Sequence, residues 1–127
     1  MLIEGYPKPK EMPKVLLDDN GIINVIFGTI IVTPAHIIHG ASKQTQTFPN
    51  QKMPVMLIGE IAQDVEGEIA AIGATKEVAD VTSHLAIVTE EKVTRVLGGV
   101  FMNAQKNPYP TKLFSSRDEA IEWLLSF

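Results

Sequence analysis

Two histidines three residues apart, His36 and His39, are followed by Lys43. On a helix that spacing turns both imidazoles to one side, where they could hold a divalent metal. A catalytic zinc needs a third ligand and usually a carboxylate behind it. The neighbouring sequence supplies neither, so the pair reads as a solvated polar face. Ser83 and His84 are adjacent, and consecutive side chains of a strand leave on opposite faces. They are therefore not expected to form a nucleophile and its base, and no serine sits in a Gly-x-Ser-x-Gly elbow. His84 is expected to pack or to line a strand edge. Glu60, Asp64, Glu66 and Glu68 gather where a strand gives way to a helix, a place where the helix dipole favours negative charge. A regular calcium loop is missing there, and capping and solubility account for the cluster. No catalytic residue, no metal ligand set and no cofactor is assigned.

The glycine pair Gly98-Gly99 is of a different kind. It lies inside a helical pattern without the Gly-Lys-Ser/Thr or Gly-x-x-Gly that would make a phosphate loop. Each glycine costs about 1 kcal/mol of helix propensity relative to alanine. Val93, Val96, Leu97, Val100, Phe101 and Ala104 form the apolar stripe of that helix, which leaves Arg95, Gly98, Gly99 and Met102 on the opposite side. Bare backbone beside a flexible methionine suits close approach by another chain or a ligand, the alternative being a tolerated helix defect or a helix boundary placed elsewhere. These four residues are the candidate partner or dimer surface.

The elements that must position such residues follow from punctuation and periodicity. Val15 to Leu17 and Ile22 to Phe27 are apolar runs separated by Asp18-Asp19-Asn20-Gly21, and Asn-Gly predicts a hairpin with a tight primed turn. Thr33-Pro34 starts a helix over 34–46 with Ile37, Ile38, Ala41 and Thr45 on one face. Pro54 to Ile58 is the continuous apolar run of a central strand. A helix capped by Asp64, a short helical piece at 76–80, a strand at 85–88 and the glycine-bearing helix after Thr89 come next. Thr111 to Phe114 is a short strand, and Ser116 with Glu119 forms a capping box before Ile121, Leu124 and Leu125, which begins a terminal helix. A hairpin followed by alternating units predicts an α/β fold with a mixed five-stranded sheet, helices packed on it and right-handed crossovers.

Composition narrows the function classes. The chain has 127 residues, 45% hydrophobic and 20% charged, with no cysteine. That is enough for one domain over 1–127, of which 1–13 is expected to be a proline-broken, flexible arm. A net charge of -4 offers no positive field for phosphate backbones, so nucleic acid is not an expected partner. The absence of thiols and of a leader-like apolar run at the start suggests a cytoplasmic protein. Gly21 to Ser42 carries no formal charge, but Asn24, Thr29, Thr33, His36 and His39 interrupt it, and no membrane span is expected.

The stretch SHLAIVTEEKVTRVLGGVFMNAQKNPYPTKLFSSRDEAIEWL resembles the STAS-like (SpoIIAA-like) small bacterial proteins. The resemblance rests on the strand Leu85 to Val88, Phe101 and Asn103, the turn Pro108 to Pro110, the Lys112 to Phe114 strand and the final Glu119 to Leu124 helix. The hairpin DDNGIINVIF and strand PVMLI match more loosely. The resemblance implies a STAS-like fold and a regulatory module that binds a protein partner. In the anti-sigma-factor antagonists a serine at the start of the helix after the central strand is phosphorylated. This chain has no serine or threonine there, and Gln63, Asp64 and Glu66 occupy the family's switch region, where Asp64 or Glu66 could hold a permanent negative charge. Kinship with Sec14-type domains implies an alternative, a domain that binds a small apolar or lipid-like ligand. The expectation is a non-enzymatic interaction module with a protein partner and a homodimeric state; an unrecognised enzyme using the histidines or the acidic cluster is the remaining alternative.

Overall fold

Asp18 organises the first turn of the chain. A computed structural model describes residues 9–28, 30, 32–59, 74–89 and 108–127. Within it β1 (Lys14–Leu17) runs antiparallel to β2 (Ile23–Ile26). The Asp18 carboxylate accepts the backbone N–H groups of Asn20 at 2.8 Å and Ile22 at 3.1 Å and the Asn24 amide at 2.9 Å. Partial burial pushes its pKa up, but these three donors outweigh burial and hold the carboxyl below its ordinary range. The chain wraps around this side chain as a three-residue loop, closed by Asp18 N–H to the Ile22 carbonyl and Gly21 N–H to the Asp18 carbonyl. Of Asn20 and Gly21 only Gly21 takes a positive φ, 78°. The turn is therefore not the two-residue primed turn that Asn-Gly predicts: the Asp18 acceptors select a longer loop with a single left-handed residue.

The remaining described elements are α1 (Pro34–Thr47), β3 (Met53–Ile58), α2 (Lys76–Ala79), β4 (Thr82–Val88), β5 (Thr111–Phe114) and α3 (Arg117–Leu125). The sheet is mixed, in the order β1-β2-β3-β4-β5, with β2 to β5 mutually parallel. This is the α/β architecture the sequence predicts. Alternation divides each strand between two layers. Leu57 and Ile87 join Phe27, Val32 and Ile37 beneath α1, and Val78 of α2 packs with Ile38 and Ala41 on the same side. Met56, Ala86, Val88 and Phe114 meet Ala120 and Leu124 of α3 on the other.

Several details depart from expectation. Thr45 is exposed, and His36 takes a buried place on α1. Leu125 is 52% exposed, and the nine-residue α3 covers the sheet mainly through Ala120 and Leu124. β4 begins at Thr82, three residues before its apolar run, and its pairing with β3 slips there: Met53 faces Thr82 while Pro54 faces His84, leaving Ser83 as an extra residue. Proline inside a central strand fits such a bulge, since it has no N–H to give to the ladder. The helices expected after Asp64 and after Thr89 fall in 60–73 and 90–107, outside the described residues. So do Gln63, Asp64, Glu66, Arg95, Gly98, Gly99 and Met102.

Candidate functional site: an apolar cavity under the first helix

A cavity of about 790 Å³ lies between α1 and the sheet. Its floor exists because β2, β3 and β4 are parallel and in register, so that Val25, Leu57 and Ile87 stand side by side on one face. Phe27, just past β2, and Tyr109, just before β5, close parts of the wall. Met12 and Pro13 bring the end of the N-terminal arm to its rim. A volume within about 300–1,000 Å³ and a mainly hydrocarbon lining are those of small-molecule sites.

Several polar groups around the cavity are held by the protein itself, while the side chains of Ser42, Lys43 and Gln46 also line it. His36 is 6% exposed. Its Nδ1 accepts the Thr33 N–H at 3.1 Å and lies 2.8 Å from the Thr33 hydroxyl, while Nε2 donates to the Glu11 carbonyl at 2.9 Å. The first bond gives α1 the reciprocal half of a capping box, with histidine where glutamate or glutamine usually stands. The second fastens residues 9–13 to the helix. The ring also meets Phe27 edge to face at 5.2 Å. The solvated polar face expected for His36 is thus replaced by a buried structural role, because both ring nitrogens find backbone partners as it enters the core. His39 lines the cavity. Gln44 donates its amide to the Val81 carbonyl, and burial pushes the Tyr109 phenol up to about 12. The floor is apolar, whereas the exposed Lys43, Gln46 and Thr47 also line the cavity.

The second histidine site differs from expectation in geometry. The Ser83 hydroxyl lies 2.9 Å from His84 Nδ1, although adjacent strand residues should diverge. The bulge at Ser83 removes the alternation and lets the two meet. His84 Nε2 donates to the Leu124 carbonyl at 2.8 Å, and the ring packs against Phe127 at 4.4 Å and Trp123 at 6.1 Å. The histidine thereby ties the end of α3 to β4. With one nitrogen toward Ser83 and the other held by a backbone carbonyl, the arrangement has a serine and a base oriented by a third group. It lies on the face covered by α3, away from the cavity. Among the described residues no group of three or more histidine, aspartate or glutamate side chains could hold a metal ion. No described helix is long and apolar enough to cross a membrane; Gly21 to Ser42 divides between β2 and α1.

Fold and cavity define a small α/β domain with a mixed sheet and an apolar interior site. The chain belongs to the family described as a domain of unknown function, DUF7793, whose model matches residues 16–127. A crystal structure of a protein with unknown function from Arthrobacter sp. FB24 is similar at 23% sequence identity over 89% of this chain and 92% of that chain, with a TM-score of 0.32. No curated protein matches the chain.

Proposed function

We propose that this protein is a non-enzymatic, cytoplasmic binding domain that holds a small, uncharged apolar or lipid-like molecule between α1 and the sheet. The cavity of about 790 Å³ floored by Val25, Leu57 and Ile87 carries this reading. The elevated Tyr109 pKa agrees with it, since the phenolate is disfavoured by the same dry surroundings that would favour a hydrocarbon guest. The resemblance of the chain to a superfamily that includes Sec14-type lipid-binding domains points the same way. Native mass spectrometry of gently purified protein is expected to reveal a retained small molecule. Val25→Phe, which places a ring in the cavity, should abolish that retention with a stability change of less than about 2 kcal/mol. Protein that emerges without a guest and fails to take up any apolar probe would overturn the reading.

A second reading, a STAS-like regulatory module for a protein partner, is supported by the hairpin followed by parallel strands and by the end-of-chain motifs. Purification of the tagged chain from its host separates the two. A stoichiometric protein favours the second reading, and a bound small molecule favours the first.

A further inference from the structure

We infer that β1 is the surface through which two copies of this chain pair, edge to edge, to make one continuous ten-stranded sheet. Among the described residues β1 has β2 on one side and ends the sheet on the other. Natural edge strands are usually short and charged or covered, to prevent pairing. β1 is four residues long and has Lys14 at its start, but its other three residues are apolar and open, Val15 at 48%, Leu16 at 37% and Leu17 at 49% exposure.

Backbone geometry fixes the register. Asp18 N–H bonds the Ile22 carbonyl, and antiparallel ladders alternate between residues that bond their neighbour and residues that do not. With Leu17 opposite Ile23 and Leu16 opposite Asn24, residues 14 and 16 direct their N–H and C=O groups, and Asp18 its N–H, to the β2 side. Val15 and Leu17 direct theirs outward. An antiparallel second copy must set outward residues opposite each other. The arrangement that does so twice pairs Val15 with Leu17 of the second copy and Leu17 with its Val15, forming four backbone hydrogen bonds. Leu16 then faces its own copy across the two-fold axis, and Lys14 stands opposite the acidic Asp18 at both ends. Sliding the copies one way sets Leu17 against Pro13, which has no N–H. Sliding them the other way sets Val15 against Asp19 in the turn. Hydrogen bonding, apolar contact and charge therefore select the same isologous pairing. Val15, Leu16 and Leu17 also line the cavity; the pairing uses the outward backbone groups of Val15 and Leu17 and is read by mass, separately from whether the cavity holds a guest.

Sedimentation equilibrium of the full chain is expected to give twice the 13.9 kDa chain mass. L16K and L16E should each sediment at the single-chain mass, because the axis sets like charges face to face. Mixing the two in equal amounts should restore the dimer. Because the chain has no cysteine, L16C should cross-link to a covalent dimer under mild oxidation, whereas L125C on exposed α3 should not. This second measurement decides the matter even where a charged variant fails to fold. A monomeric parent protein, dimers that persist in both L16K and L16E, or equal cross-linking of L16C and L125C would each overturn the proposal.

Discussion

The histidines are the residues whose roles changed most between sequence and structure. Spacing made His36 and His39 a weak metal pair on a solvated face, whereas His36 is buried and spends both ring nitrogens on the backbone of Thr33 and Glu11. A partner 25 residues upstream cannot be read from helical periodicity, which reports only the local face. The Thr33-Pro34 start of the helix, in contrast, is a short-range signal and was legible. Tyr109 gives a test at this scale. Its pKa of about 12 lies above the ordinary 10.0, so its contribution to stability is complete below pH 10 and is lost as pH rises toward 12. In Y6F, which leaves Tyr109 as the single tyrosine, phenolate absorbance should appear near pH 12 in folded protein and near 10 in denaturant. A folded-state transition at 10 would contradict the buried setting.

Among the elements, those read from local chemistry agree closely with the structure: the helix from Pro34, the apolar strand ending at Ile58, Thr111–Phe114, and the terminal helix, where Ser116 accepts the Glu119 N–H at 3.4 Å. The departures arise where side chains or neighbouring strands redirect the backbone. Asp18 lengthens the hairpin loop, and Pro54 coincides with the bulge that brings Ser83 to His84, a contact strand alternation forbids. Both depend on pairings that have no signature in one segment alone. Close approach of elements is clearest at Gly59, after β3, where an added Cβ would lie 2.7 Å from the Phe27 Cβ. The obstructing atom is the root of a side chain and cannot swing away. Gly59→Ala should therefore destabilise the protein by about 1–3 kcal/mol in chemical denaturation. A neutral effect would mean that β3 and the Phe27 segment are not held this tightly.

At the scale of the molecule, the hairpin followed by strand and helix units was enough to predict a mixed five-stranded α/β sheet, because connection order constrains topology strongly. The cavity was not legible. It requires Val25, Leu57 and Ile87, separated by about thirty residues each, to share one face, and it requires α1 to roof them. Sequence periodicity marks those residues as buried without saying whether the space above them is filled. The candidate surface chosen from the sequence, around Gly98, lies outside the described residues, while the exposed apolar edge of β1 emerged only once the strand order placed it at the sheet margin.

An apolar guest is proposed to occupy the α1 face of this sheet. Methyl-resolved NMR during titration with an uncharged aromatic probe tests it most directly, because neighbouring residues of one strand serve as opposite reporters. Saturable shifts are expected at Val25, Leu57 and Ile87, with Met56 and Val88 on the α3 face unmoved. Shifts confined to Met56 and Val88, or no saturable shift at any of these methyls, would contradict it.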